Sequence, residues 1–285
     1  MRIHTFLFLF LFLLITTLTI AEDSEPQPAP GKIIGKVLIN GKKPMLNGIV
    51  LVYSKSMGQP PHPYRYWRIP DLISNTDSNG NFEVEVEAGT FYLMIAQKNP
   101  DGDIGPPSSK EFLYFHGNAK GIATPIEVVS GKTTNLGKLS KSFIWSPDNI
   151  PHEKGITAVE GTVTDPQGAA VENVVVFAYL NEDAIGRPAF TSDRSDRKGR
   201  FQLRLAEGGV YYLKVRGVIG GGAPQAGEFQ SVTEEFKPKR VETVTGKRLS
   251  GITLKADQFK GKALQAPQQS SERKWKDAGS PQGSP

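Results

Sequence analysis

Thr76-Asp77-Ser78-Asn79-Gly80-Asn81-Phe82-Glu83-Val84-Glu85-Val86-Glu87-Ala88-Gly89-Thr90-Phe91-Tyr92-Leu93 is written a second time as Asp196-Arg197-Lys198-Gly199-Arg200-Phe201-Gln202-Leu203-Arg204-Leu205-Ala206-Glu207-Gly208-Gly209-Val210-Tyr211-Tyr212-Leu213. Each copy reads as a tight glycine turn, an alternating strand, a second glycine turn and an aromatic strand. The chain is therefore expected to be all-β, a tandem pair of modules built on one plan.

Working outward, Lys32–Ile39, the Asn40-Gly41 turn and Gly48–Tyr53 precede the first copy, and Thr157–Thr164, the Gln167-Gly168 turn and Asn173–Tyr179 precede the second. Asn-Gly between extended segments is a hairpin signal. Each module closes with two short strands around a Gly-Lys turn, at Gly131-Lys132 and Gly246-Lys247. About seven strands per copy fits an antiparallel β-sandwich, and no segment carries capped helical periodicity. The expected layout is a signal peptide over 1–21, an unstructured acidic, Pro-rich start over 22–31, sandwiches over 32–140 and 155–259 joined by a linker over 141–154, and a disordered tail over 260–285. Trp145 in the linker is expected to tuck against a module. The first copy is longer by seven residues before its central hairpin and by four after it; added loop length on a fixed scaffold is where binding surfaces form.

Alternation places Phe82, Val84 and Val86 inside and Glu83, Glu85 and Glu87 in solvent, with Phe201, Leu203 and Leu205 inside and Gln202 and Arg204 outside. Asp77-Ser78-Asn79-Gly80 has the oxygen spacing of part of a calcium loop, but its copy puts Arg197 and Lys198 at the ligand positions. Turn chemistry accounts for both copies and calcium for one at most.

The chain has 285 residues, a formal charge of +5 and no cysteine. Arg2, the apolar run Phe6–Ile20 and the small residues before Glu22 read as a secretory leader cleaved after Ala21, too short to span a bilayer. An exported protein, periplasmic or at the cell surface, follows, with no transmembrane helix after cleavage. Without cysteine there is no disulfide, thiolate metal site or cysteine nucleophile, so stability rests on core packing. The mild positive charge is scattered among acids, which argues against nucleic acid as a partner.

Ile34-Gly35-Lys36-Val37, Asn47–Val52, Thr76–Phe82 and Glu87–Leu93, matched by Val159–Val163, Val171–Val176 and Gly199-Arg200-Phe201, resemble the carboxypeptidase regulatory-like domain, over Lys32 to Leu254. The resemblance implies a transthyretin-like (prealbumin-like) sandwich used as a non-catalytic accessory module beside exported enzymes, transporters or surface proteins. Related adhesin modules carry a Lys–Asn isopeptide; Lys36, Glu87 and Asn135 are the trio that would supply it, in the first copy alone. Transthyretin-like hydrolases resemble one another in a C-terminal Tyr-Arg-Gly-Ser motif that this chain lacks.

Catalytic chemistry is not written in the sequence. After the leader only His62, His116 and His152 remain, none paired with His or Glu at metal-ligand spacing, and no serine sits in a nucleophile elbow. No catalytic residue, metal or cofactor is expected. The segment that invites a ligand is the long loop Ser54–Asn75, with Tyr64, Arg65, Tyr66, Trp67 and Arg68, extended by Tyr114 and His116. Aromatic faces beside arginine suit a protein hot spot or a sugar ring; the competing expectation is that the loop folds its own aromatics onto the sandwich. The function read from sequence is an exported binding or structural accessory protein that engages an envelope or extracellular protein. Carbohydrate binding is the alternative and a transthyretin-like hydrolase the lesser one.

Overall fold

A computed structural model describes residues 29–98, 105–150, 155–219, 223–232 and 237–261. The expected leader, most of the acidic start, the tail beyond 261 and part of the glycine-rich stretch 217–222 lie outside them.

The chain is nearly all β and forms two tandem β-sandwiches. In the first, β1 (Gly31–Ile39), β2 (Lys43–Pro44), β3 (Gly48–Ser54), β4 (Leu72–Asn75), β5 (Asn81–Val86), β6 (Gly89–Gln97), β7 (Phe112–Phe115), β8 (Ile126–Val128), β9 (Thr133–Leu139) and β10 (Phe143–Ile144) follow in order. In the second, β11 (Thr157–Thr164), β12 (Val175–Tyr179), β13 (Phe190–Thr191), β14 (Arg200–Leu205), β15 (Gly209–Arg216), β16 (Phe229–Ser231), β17 (Lys239–Thr243) and β18 (Arg248–Gln258) repeat the plan. The first sandwich packs a four-stranded sheet (β2-β1-β5, with β9 on β1) against a six-stranded one (β10-β7-β6-β3-β4, with β8 on β6). In the second, the short strand β16 pairs with both β15 and β18 and stitches the two layers into one eight-stranded sheet. Pairing is antiparallel except for β1–β9 and β11–β18, which are parallel and carry a register shift at matching places.

The repeated sequence does the same work twice. Gly80 (φ 75°) and Gly199 (φ 71°) sit in the left-handed region, and their carbonyls accept from Val37 N and Val163 N at 2.9 and 2.8 Å. A Cβ would lie 2.6 Å from Val37 O in the first copy and 2.3 Å from Val163 O in the second, so both turns require glycine. Asp77 Oδ1 accepts from Asn79 N and Asn81 N at 2.8 Å; Asp196 Oδ1 accepts from Lys198 N and Arg200 N at 2.9 Å. Side-chain donors from Asn81 and Arg200, followed by those amides, hold the two carboxyls below the ordinary aspartate value. The aspartates cap turns. Thr76 Oγ1 and Ser195 Oγ likewise bridge backbone groups of the neighbouring chain segment in both copies.

Phe82, Val84 and Val86 face the first core and Phe201, Leu203 and Leu205 the second, while Glu83, Glu85 and Glu87 are exposed. Arg204 departs from the expected outward placement: it is buried, pairs with Asp193 at 3.0 Å and lies opposite Ala158, beneath the first sandwich. Alternation identifies a strand's two faces but not that another domain covers the outer one. The isopeptide trio does not assemble. Gly31 lies opposite Val86 and Lys36 opposite Asn81, so Glu87 and Lys36 are at opposite ends of the ladder, about 20 Å apart at ~3.3 Å per residue.

Two glycine substitutions separate backbone strain from steric approach. A Cβ at Gly131 (φ 68°) would meet nothing within 4 Å, so Gly131→Ala should lower unfolding stability by about 1 kcal/mol from conformation alone. Gly199→Ala should cost roughly 3 kcal/mol, because Val163 O must also move. Urea midpoints of the two variants check the difference.

Candidate functional site

The loop Ser54–Asn75 is a folded element. His62 Nδ1 accepts from Tyr64 N and Arg65 N at 3.1 and 3.0 Å, and Tyr66 OH donates to Pro60 O at 2.6 Å. Arg68 pins its base: one guanidinium nitrogen donates to Gln59 O at 2.7 Å and the other to Ser54 O and Asp71 Oδ2 at 2.9 and 2.7 Å, with the group 5.5 Å from the Tyr53 ring centroid. Arg68 is 5% exposed, so its donors had to be satisfied internally.

From that base the loop crosses to the second sandwich. Thr191 N donates to Trp67 O and Ile69 N to Ala189 O, each at 3.1 Å, and Arg68 bridges Phe190. The stretch Trp67–Ile69 thereby lies along the outer side of β13, whose other side pairs with β12. The Tyr66 ring stands edge-on to Phe190 at 5.7 Å and packs against the second core. Arg187 reaches back to Asp71 Oδ1 and, at 2.6 Å, to Ile69 O; Arg65 donates to Gly155 O. Trp67 is buried with Leu51, Tyr53, Tyr92, Met94, Leu113 and Phe115 on the outer face of the six-stranded sheet, together with Trp145, Ile150, Ile156 and Ala158 from the connection and β11. Trp145 Nε1 donates to Pro63 O at 3.0 Å. Linker and loop together close this face.

The expected site residues therefore separate. Tyr66, Trp67 and Arg68 sit in the seam between sandwiches, Arg65 braces its edge, and Tyr64 leans on Phe143 at 5.9 Å. Trp67, 5% exposed, offers no free ring face to a sugar. Tyr114 points the opposite way, into the first core, and its hydroxyl meets His116 Nδ1 at 3.0 Å. Leu113 and Phe115 are the β7 residues that join the loop aromatics, because alternate residues take opposite faces.

Between the loop and the second sandwich lies a cleft of about 920 Å³. Leu51, Trp67, Ile69 and Ile73 form one wall and Phe177, Tyr179 and Ile219 the other; Lys214, Arg216, Arg187 and Lys237 line it, with Asp71 as the acid among the lining residues. Arg187 is matched by Asp71, and Arg216 by Glu228 at 2.6 Å. Lys214 Nζ rests on Asp183 O and Ala184 O at 3.2 and 3.1 Å and lies 5.9 Å from the Tyr179 ring. An ammonium has three donors, so these two carbonyls leave one unassigned among the described residues. The cleft combines an apolar floor with the Lys214 ammonium. Tyr212, Lys214 and Arg216 alternate along β15 and so share its outer face; that spacing was the available sequence signal for this wall.

Neither histidine is placed as a general base. Burial, then the Arg65 charge, pushes His62 down to about 4, and burial also lowers His116. Among the described residues no three His, Asp or Glu side chains cluster as a metal site, and no helix is long and apolar enough to cross a membrane.

No family model matches the chain, and a search of curated proteins finds no match. Similar solved structures include the TIE protein of Bacillus anthracis (16% identity, 80% of this chain and 34% of that one, TM-score 0.24). Others are a streptococcal ancillary pilin (12%, 80% and 62%, TM-score 0.23) and the minor pilin of Streptococcus agalactiae (11%, 84% and 99%, TM-score 0.24). The chain spans about a third of the first and under two thirds of the second. Scores this low carry no inference about residues or role.

Two outcomes test the seam. Trp67→Ala should cost about 3–5 kcal/mol and speed proteolytic cleavage between the sandwiches, measured by urea denaturation and limited digestion. Stability should be full above pH 6.5 and fall as pH drops toward about 4, because the unfolded chain binds a proton that folded His62 refuses. His62→Asn, which keeps an acceptor for the two amides, should flatten that slope in melting temperature against pH.

Proposed function

We propose that the chain is an exported, non-catalytic binding protein of the envelope or cell surface, whose two sandwiches are carboxypeptidase regulatory-like modules fused into one body. The observation that carries the reading is the cleft: a volume of about 920 Å³ with apolar walls, in which Arg187 and Arg216 are matched by Asp71 and Glu228 while the Lys214 ammonium rests on carbonyl oxygens. Concave, mostly apolar sites with a few placed polar groups are where proteins hold ligands. The Lys214 ammonium, held by carbonyl oxygens, selects a ligand with an anionic group. Export rests on the N-terminal apolar run, and the family assignment on the repeated turn-and-strand motifs. The loop aromatics serve the partner indirectly, by fixing one wall of the cleft against the other.

The test is capture from the organism's own envelope fraction by the mature protein and by Lys214→Glu. A specific partner held by the parent and depleted at least about tenfold by the variant is expected, one charge contact being worth ~1.4 kcal/mol or more. Equal capture by both proteins would remove the cleft from the function. Steady turnover of an ester or amide panel by the purified protein would replace binding with hydrolysis.

A further inference from the structure

Strand β4 ends the six-stranded sheet, with β3 on one side and, among the described residues, no strand on the other. The bond from Thr76 N to Gly48 O at 2.8 Å sets the parity of the β3–β4 ladder. Leu72 and Ser74 therefore address β3, and Ile73 turns its N–H and C=O to the outer edge. The Ile73 side chain, opposite Leu51, shares the sheet's outer face and lines the cleft. Proteins protect such edges with charge, proline or a covering segment. The equivalent strand of the second sandwich, β13, is covered by Trp67–Ile69. Strand β4 contains neither charge nor proline, and its Leu72 and Ile73 are 41% and 47% exposed. Its Ile73 lines instead the cleft that Lys214 also lines.

We propose that the cleft receives an extended acidic peptide segment of a partner protein, added as a strand to the outer edge of β4. This rests on the cleft-binding reading and names its occupant. An added strand satisfies the Ile73 amide and carbonyl, groups that a sugar would not pair in register. Side chains of such a strand alternate between faces. On the cleft face its carboxylates meet the third donor of Lys214, and on the reverse face its apolar side chains continue the row begun by Leu72. Backbone pairing gives affinity and the Lys214 contact gives sign selectivity.

The probe is a heptapeptide alternating valine and glutamate, titrated into the full protein beside three others: valine alternating with lysine, the valine–glutamate peptide N-methylated at alternate residues, and an oligogalacturonate of similar charge. Expected are binding of the valine–glutamate peptide alone, new hydrogen-exchange protection at the Ile73 amide, and at least about tenfold weaker binding to Lys214→Glu. Ile73→Pro should abolish binding while the protein stays folded, since an edge position with its N–H directed outward tolerates proline; its melting curve checks folding. The N-methylated peptide repeats the test on the unaltered protein. Binding that survives both Ile73→Pro and N-methylation but needs Lys214 overturns strand addition and leaves the cleft reading standing. Lys214-dependent binding of the oligogalacturonate alone overturns the peptide as occupant. Failure of every probe overturns the inference, whereas a cleft-independent envelope partner overturns the reading beneath it.

Discussion

A sheet that is apolar on both faces must be covered twice, and the six-stranded sheet of the first sandwich is such a sheet. Its inner face gives Val50, Val52, Phe91, Leu93 and Ile95 to the first core; its outer face carries Leu51, Tyr53, Tyr92, Met94 and Phe115. Fully burying each large side chain stabilises by about 1.5–3 kcal/mol, so leaving that outer face in water would forfeit a sum comparable to the stability of a whole domain. The cover comes from Trp67, Trp145, Ile156 and Ala158, drawn from loop, connection and second sandwich. The aromatic loop, the placement of Trp145 and Ile150, and the close apposition of the sandwiches all follow from one need.

Covering that face brought charge into the seam, and charge there needs partners. Arg68 and Asp71 have side chains only 5% and 10% exposed, and Arg187 approaches Asp71 from the other sandwich at 34%. One carboxylate thus holds two guanidiniums, one of the loop and one of its neighbour, and the carbonyls of Ser54, Gly58 and Gln59 accept from the terminal nitrogens of Arg68. Breaking a buried pair strands the surviving charge, which is far more costly than the pair was favourable. The cluster therefore acts as a lock on geometry more than as a source of stability. It ties the loop to the second sandwich at residues that line the cleft.

The fold was legible because its signals are local: two glycine turns with left-handed φ, alternating strands, and a repeat that shows which features are scaffold. In the second copy Asp196 caps the same turn with Arg200 beside it, so turn capping accounts for both aspartates. Less legible was which surfaces meet. Yet the near-continuous apolar runs Ile49–Tyr53, Phe91–Ala96 and Val174–Tyr179 were a readable sign that these strands are buried on both faces, since a one-sided strand alternates. Tyr114 illustrates the limit of adjacency: it neighbours Phe115 in sequence and faces the opposite way. Arg204 illustrates another, since an outward position in one sandwich is an interior one once a second sandwich covers it.

Duplication makes equivalent edges, and divergence decides how each is treated. The first copy's long connection from β3 to β4 lays Trp67–Ile69 on β13 of the second. The second copy's connection from β12 to β13 is shorter and stays at home, where Asn181 closes its own turn with Ile185 and Lys214 anchors Asp183 and Ala184. A head-to-tail contact of this kind uses two different surfaces, one giving and one receiving, and so does not close on itself. In a pair it satisfies the second receiving edge and leaves the first. The edge left uncovered among the described residues is β4, beside the cleft that the same loop lines, so the device that seals one sheet presents the other.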